Sequence, residues 1–234
     1  MSQEIDKLQA FVGKELIGLS EVRVLEAGCG SASNLRFGNK VYLVGIDISE
    51  KQLARNTLLH EKIVGDIQQY EFPEGNYDAI VCWDVLEHLP EPQLALEKFA
   101  RAIKPGGLVI LKMPNVLSLK GLITKFMPHI FHVWAYRYIY GDKNAGKEDT
   151  VPFRTFLRLS ISANAIRKQG AELGLDTVYF STEDVANFHW LQKKKLLYFS
   201  YLLARKLTGV LSFEHLGDSE LTIVLKKNHQ QSAF

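Results

Sequence analysis

The sequence predicts an α/β fold: a doubly wound, seven-stranded and mostly parallel sheet with an inserted helical cap. The first observation is that short apolar runs alternate with helical segments four or five times between residues 22 and 112. Such alternation is typical of a parallel sheet covered on both faces. The second observation is a glycine turn directly after the first apolar run, where Gly28 and Gly30 stand two apart. The third is a loss of alternation after residue 115, where large aromatic residues become frequent.

Each apolar run is interpreted as a strand, and each stretch of apolar residues at helical spacing as a helix. Continuous β-branched runs are typical of buried parallel strands. They predict strands at 22–27, 41–46, 62–64, 77–83, 108–112, 177–180 and 220–226. Helical spacing predicts helices at 4–18, 50–59, 91–103, 160–173 and 187–208. Segment 31–40 has room for only about two helical turns, and Pro105-Gly106-Gly107 is expected to stop the helix before it.

Size and composition favour a single domain over residues 1–234, with the helical cap at 115–160 over the active site. The formal net charge of +2 argues against nucleic acid as the partner. The two cysteines form no CxxC pair and lie far from any histidine cluster, so no metal site is expected. The first twenty residues lack a secretory signal, and no apolar run reaches the roughly 18 residues of a membrane span, which favours a cytoplasmic protein.

Acidic residues follow successive predicted strands, namely Glu26, Asp47, Asp66 and Asp84. Ligands of open α/β sheets bind outside the carboxyl ends of the strands. Taken singly, each acid is better explained as a helix cap or a solvated loop residue. Four carboxylates at the ends of successive strands favour a ligand that carries hydroxyls, an exocyclic amine and positive charge.

Five short motifs occur in order between residues 26 and 107. They are E-A-G-C-G at 26–30, V-G-I-D-I at 44–48, G-D-I at 65–67, Y-D-A-I-V-C-W-D-V-L-E-H-L at 77–89, and K-P-G-G at 104–107. With these five motifs in this order, the chain resembles a class I S-adenosylmethionine-dependent methyltransferase of the small-molecule type, which has a Rossmann-like fold. The resemblance covers roughly residues 20–115, with a looser match at 160–227. It implies S-adenosylmethionine as cofactor and S-adenosylhomocysteine as product.

The resemblance also implies roles for residues at the strand ends. Asp47 would hold the ribose hydroxyls, with Ile48 packing on the adenine face. Asp66 would accept a hydrogen bond from the adenine amino group, beside the backbone of Ile67.

The methionine part of the cofactor would lie over the glycine turn. Gly28 and Gly30 would let the backbone approach it, and Glu26 would orient its ammonium group. Trp83 or Asp84 would border it from the fourth strand.

A dinucleotide-binding oxidoreductase is the main rival for the glycine turn. Its G-x-G-x-x-G fingerprint needs glycine at position 33, where this chain has serine. The methyltransferase pattern is itself imperfect, because Ala32 stands where a third glycine is frequent. Alanine is small enough to leave the cofactor site open.

His88 is the candidate catalytic base, because it follows the fourth strand close to where the methyl group would lie. The alternative is a histidine that packs or caps at the entrance of the next helix. The neighbouring Glu87 is interpreted as a structural carboxylate. A hydroxyl or amine acceptor needs a group that takes its proton.

The predicted reaction is methyl transfer to oxygen or nitrogen of a small, partly apolar metabolite, either a secondary metabolite or a sugar of a glycan. One alternative is a non-catalytic S-adenosylmethionine-binding regulatory or scaffold protein. Another is a lipid-linked acceptor at the membrane surface, because residues 188–204 combine three lysines with aromatic side chains. The sequence does not predict an oligomeric state.

Overall fold

The computed structural model describes residues 3–38, 40–118, 129–138, 155–183 and 218–229, with isolated positions 121, 125, 141, 143, 146, 199 and 203. The strands in these ranges are β1 (Val22–Ala27), β2 (Val41–Asp47), β3 (Glu61–Val64), β4 (Tyr77–Trp83), β5 (Ile103–Pro114), β6 (Leu175–Glu183) and β7 (Glu220–Lys227). The α-helices are α1 (Gln3–Glu15), α2 (Glu50–Arg55), α3 (Pro92–Ala102), α4 (His129–Tyr138) and α5 (Ala163–Glu172). Short 3₁₀ turns occupy Leu86–His88 and Leu159–Ile161.

The strands form one seven-stranded sheet in the order β3-β2-β1-β4-β5-β7-β6. The pairs among β1 to β5 are parallel, whereas β7 is antiparallel to both of its neighbours. The predicted doubly wound, mostly parallel α/β sheet is therefore confirmed. The strand order reverses between β1 and β4, and open α/β sheets bind their ligands at such a switch point.

Helices cover both faces of the sheet. On one face Leu96 and Phe99 of α3 and Ile166 of α5 belong to a large buried cluster with β1, β4 and β5. On the other face Leu8 and Val12 of α1 pack into a second cluster. Each fully buried large apolar side chain contributes about 1.5–3 kcal/mol. This packing fixes the strands and therefore the position of the loops at their carboxyl ends.

Several element boundaries differ from the sequence-based expectation. Residues 31–38 and 40 form turns and bends instead of a short helix. The Gln9 amide donates to the carbonyl of Arg36 and accepts from its N–H, so these backbone groups find partners outside a helix. Helix α2 stops at the Asn56 cap, four residues early, and β5 begins before Pro105-Gly106-Gly107. These three residues therefore lie inside the strand.

The predicted cap at 115–160 and the helix at 187–208 fall largely outside the described residues. Within them, α4 is a ten-residue helix, and residues 155–158 run back to the sheet without regular structure. The cap and its position over the active site therefore stay predictions. Among the residues described, no helix is both long enough and apolar enough to cross a membrane.

Candidate functional site

The glycine turn after β1 lies against the end of β2. The N–H groups of Gly28 and Cys29 donate to the carbonyl of Ile46 at 2.8 and 3.2 Å. Gly28 and Gly30 have φ angles of +71° and +53°, a region that glycine adopts without strain. The turn is thereby held at the carboxyl edge of the sheet, beside the last residue of β2.

Gly28 also makes room for the loop that follows β4. A Cβ atom at position 28 would lie 2.4 Å from Cγ2 of Val85. Only a residue without a side chain therefore allows the two loops to approach this closely. This contact brings the β4 loop, with Asp84 and His88, to the glycine turn.

Asp47 bridges the turn and the start of α2. Its Oδ2 accepts a hydrogen bond from the N–H of Gly30 at 2.8 Å, and its Oδ1 accepts one from the N–H of Ser49 at 2.8 Å. A carboxylate offers about four acceptor positions, so capacity remains for two hydroxyl donors. The adjacent Ile48 is 76% exposed, so its side chain is open to contact by a ligand.

Glu26 is the buried carboxyl group of the site, only 3% exposed. The hydroxyl of Ser33 donates to its Oε2 at 2.5 Å, whereas Oε1 is buried without a hydrogen-bond partner among the described residues. Burial raises the pKa of Glu26 to about 7, and the Ser33 hydrogen bond acts in the opposite direction. A cation bound at Oε1 would therefore stabilise the ionised form of the Glu26 carboxyl group.

Asp66 closes the loop after β3. Its Oδ1 accepts from the backbone N–H of Gln68 at 2.8 Å, and Ile67 is buried. The Gln68 side-chain carbonyl in turn accepts from the N–H of Glu91, just before α3. The N–H of Gly65 donates to the Asp47 carbonyl at 3.0 Å, which brings the loops after β2 and β3 together.

Asp84 and Trp83 both lie close to Lys112 of β5. The ammonium of Lys112 is 3.0 Å from Oδ1 of Asp84 and 2.9 Å from Oε2 of Glu220, and 5.4 Å from the Trp83 ring centroid. Asp84 has a φ of +54°, a strained conformation that marks the end of β4. Trp83 packs with the cluster on the α1 face.

His88 ends the 3₁₀ turn after β4, and its Nε2 lies 4.0 Å from Oε1 of Glu87. Glu87 is 4% exposed, and its Oε2 has no hydrogen-bond partner among the described residues. Burial, followed by the negative charge of Asp84, raises the pKa of Glu87 to about 8. The Glu87 carbonyl accepts hydrogen bonds from the N–H groups of Phe156 and Leu157.

Sequence reasoning missed two features of this loop. The first is the burial that raises the pKa of Glu87, which local sequence does not indicate because residues distant in the chain bury this side chain. The second is the docking of Phe156 and Leu157 on the Glu87 carbonyl, for which the sequence holds no signal because the contact joins residues far apart in the chain.

In the described ranges, no group of three His, Cys, Asp or Glu side chains is arranged to hold a metal ion.

Comparisons with known proteins show which proteins this chain is similar to. The family described as "Methyltransferase domain" matches residues 2–178. Proteins named "Ubiquinone biosynthesis O-methyltransferase" are 30% identical over 181 residues in Pseudomonas aeruginosa, covering 73% of each chain, and 30% identical over 165 residues in Aromatoleum aromaticum, covering 66% of each. In Dechloromonas aromatica the match reaches 37% but spans only 48% of the relative.

Solved structures share the fold at low sequence identity. A S-adenosylmethionine-dependent methyltransferase from Archaeoglobus fulgidus superposes with a TM-score of 0.57 at 15% identity, covering 95% of this chain and 94% of the other. The [4+2]-cyclase SpnF superposes with a TM-score of 0.54 at 16% identity, covering 95% and 81%. One fold thus serves proteins named for different reactions.

Proposed function

Because this chain belongs to the class I S-adenosylmethionine-dependent methyltransferases, we propose that it methylates a hydroxyl oxygen of a small, partly apolar acceptor. The name O-methyltransferase, shared by relatives at about 30% identity, supports oxygen as the acceptor atom. The observation that carries the proposal is the position of His88 in the loop after β4, which packs against the glycine turn through Val85 and Gly28.

The strand-end residues fit the family's cofactor. The unpartnered Oε1 of Glu26 suits an ammonium group, and the remaining acceptor capacity of Asp47 suits a pair of ribose hydroxyls. The exposed Ile48 gains an apolar partner if an adenine ring covers it. In this assignment Asp66 and Ile67 bound the far end of the adenine, and Asp84 or Trp83 bounds the methionine end.

S-adenosylmethionine supplies a methyl group that is already activated on a sulfonium. The remaining task of the protein is to orient the acceptor and remove its proton. With the cofactor bound, His88 would take the proton of the acceptor hydroxyl as the methyl group is transferred to its oxygen. Glu87, buried in the same 3₁₀ turn, lies beside the imidazole and limits its movement.

The proposal is tested by incubating the protein with methyl-labelled S-adenosylmethionine and 4-methylcatechol, 3,4-dihydroxybenzoate or a primary amine of similar size. Mass spectrometry should find a mono-O-methylated catechol and no methylated amine. Transfer only to the amine would overturn the choice of oxygen. Cofactor binding without transfer to any of them would instead favour a regulatory or scaffold protein that retains the nucleotide site.

A lipid-linked acceptor at a membrane surface is a second candidate, and helix α4 favours it. Ile130, Phe131, Trp134 and Tyr138 are all more than half exposed, and at helical spacing they share one side of α4 with the exposed Arg137. Tryptophan, tyrosine and arginine on an apolar face suit a bilayer interface. The wild-type protein should sediment with anionic vesicles at low salt, and Phe131→Ser/Trp134→Ser should not. Failure of the wild type to sediment would reject this candidate.

A further inference from the structure

A groove lies at the amino-terminal edge of the sheet, away from the cofactor site. It has a volume of about 340 Å³ and lies between α1 and the starts of β1 and β2, next to Val22 and Val41. Glu26 and Asp47 stand near the opposite ends of the same two strands. Six residues of β2 separate the two edges, which is about 20 Å at the usual strand rise. The groove is therefore distinct from the methyl-transfer site.

The groove is apolar inside and cationic at its rim. Its walls include Leu16, Phe37 and Val41, and the charged residues among its described lining are Arg36 and Lys40. Within the part of the chain that the structure describes, neither cation has an ion-pair partner. Ligand pockets of this kind usually measure roughly 300–1,000 Å³ and combine apolar walls with a few polar groups.

One wall is held in place by paired hydrogen bonds. The Gln9 side chain of α1 donates to the Arg36 carbonyl at 2.6 Å and accepts from its N–H at 2.8 Å. This pair fixes the segment that carries Arg36 and Phe37 against α1. The groove is therefore a built feature of the fold.

Gly13 of α1 keeps the groove open. It lies inside a helix, where glycine costs about 1 kcal/mol relative to alanine. Its φ is not positive, and a Cβ at this position would meet no atom within 4 Å, so neither the backbone nor close packing requires glycine. The missing side chain instead leaves space along the groove wall.

We propose that this groove binds a free single-chain amphiphile with an anionic head group. The alkyl chain would lie between Leu16, Phe37 and Val41, and the head group would pair with Arg36 and Lys40. We choose an anionic head group because Arg36 and Lys40 are cationic and none of the described residues that line the groove is acidic. We choose an alkyl chain because the walls of the groove are apolar.

Titration calorimetry with monomeric decanoate, and with decanol as the neutral counterpart, tests the proposal. Decanoate should bind the wild type saturably at one site, and decanol at least tenfold more weakly. Gly13→Leu should lower the decanoate affinity at least tenfold, whereas Gly13→Ala should keep it. Arg36→Gln/Lys40→Gln should abolish the preference for decanoate over decanol, which keeps the test valid if Gly13→Leu fails to fold.

Three results would overturn the proposal: no saturable decanoate binding, equal affinity for decanoate and decanol, or undiminished binding by a folded Gly13→Leu variant. Asp47→Ala should bind decanoate as the wild type does, because it changes only the opposite edge of the sheet. Loss of methyl transfer and loss of groove binding are therefore separable.

Discussion

The carboxylate of Asp47 accepts a hydrogen bond from the backbone N–H of Gly30 at 2.8 Å. This bond ties the end of β2 to the glycine turn after β1, and the other oxygen of Asp47 binds the N–H of Ser49. One side chain therefore orders both segments that border the proposed ribose site.

Replacing Asp47 with alanine should weaken S-adenosylmethionine binding at least tenfold. The variant loses the acceptor for the ribose hydroxyls and releases the Gly30 N–H, and an unmet buried polar group costs about 1–3 kcal/mol. Calorimetric titration measures the change. Glu50→Ala, an exposed carboxylate in the first turn of α2, is the matched control and should bind normally. Equal affinity in both variants would contradict the ribose assignment.

Cofactor affinity should rise with pH through about 7. Burial raises the pKa of Glu26 to about 7 in the free protein, so the group is protonated below that pH and cannot pair with an ammonium. Binding the cation favours the carboxylate and should release a proton. Titrations between pH 5.5 and 8.5 in buffers of different ionisation enthalpy detect both effects. Glu26→Gln should bind more weakly at pH 8 and lose this pH dependence; an unchanged profile in the variant would exclude Glu26 as its source.

The buried Glu87 should make the protein less stable as the pH rises. Its folded-state pKa of about 8 exceeds the ordinary 4.5, so between these values the folded protein holds a proton that the unfolded chain has lost. Stability is therefore highest below pH 4.5 as far as this group is concerned, and falls up to about pH 8. Glu87→Gln should raise the free energy of unfolding at pH 8 by a few kcal/mol, measured by urea denaturation. A loss of stability at pH 8 would show that the ionised carboxylate is well paired.

Gly28→Ala should destabilise the fold by about 2 kcal/mol or more, because it combines a positive φ with a clash at Val85. Val85→Ala removes the atoms that a Cβ at position 28 would meet at 2.4 Å. A double-mutant cycle by urea denaturation should therefore give a coupling energy above about 0.5 kcal/mol. Strict additivity would mean that the two loops move apart freely.

His88→Ala should slow methyl transfer by about a hundredfold or more, as expected for loss of a general base. Its cofactor affinity should stay within twofold of the wild type, because no strand-end acid is altered. Single-turnover assays separate the two effects. His60→Gln is the control: this histidine lies directly before β3, at the amino-terminal edge of the sheet, and its Nδ1 accepts a hydrogen bond from the N–H of Leu43 in β2. Equal rates for His88→Ala and the wild type would leave His88 as a packing residue.

The sequence predicted the sheet well because its strands are continuous apolar runs. Such runs identify a strand whichever helices pack against it. The Tyr77–Trp83 strand matches its predicted bounds, since every residue but the last is buried and no turn residue interrupts it. The expected short helix within 31–40 is wrong, because long-range contacts determine the backbone conformation of that segment. Ser33 bonds Glu26 and Arg36 bonds Gln9, and neither partner is visible from local propensity.

The site likewise has features that local sequence predicts and features that depend on distant residues. The acids at the strand ends could be predicted because strand-end position follows directly from the pattern of apolar runs. The raised pKa values of Glu26 and Glu87 could not be predicted, because they depend on burial by residues distant in the chain. The amino-terminal groove also escaped sequence analysis, since Gly13 is locally only a weak point in a helix.

Calorimetric titration of the wild-type protein with S-adenosylmethionine, NAD and NADP distinguishes a methyltransferase cofactor site from a dinucleotide site. We expect saturable binding of S-adenosylmethionine near one equivalent and no binding of either nicotinamide nucleotide. Saturable binding of NAD or NADP in place of S-adenosylmethionine would contradict this expectation, and the roles proposed for Glu26, Asp47 and Asp66 would fall together.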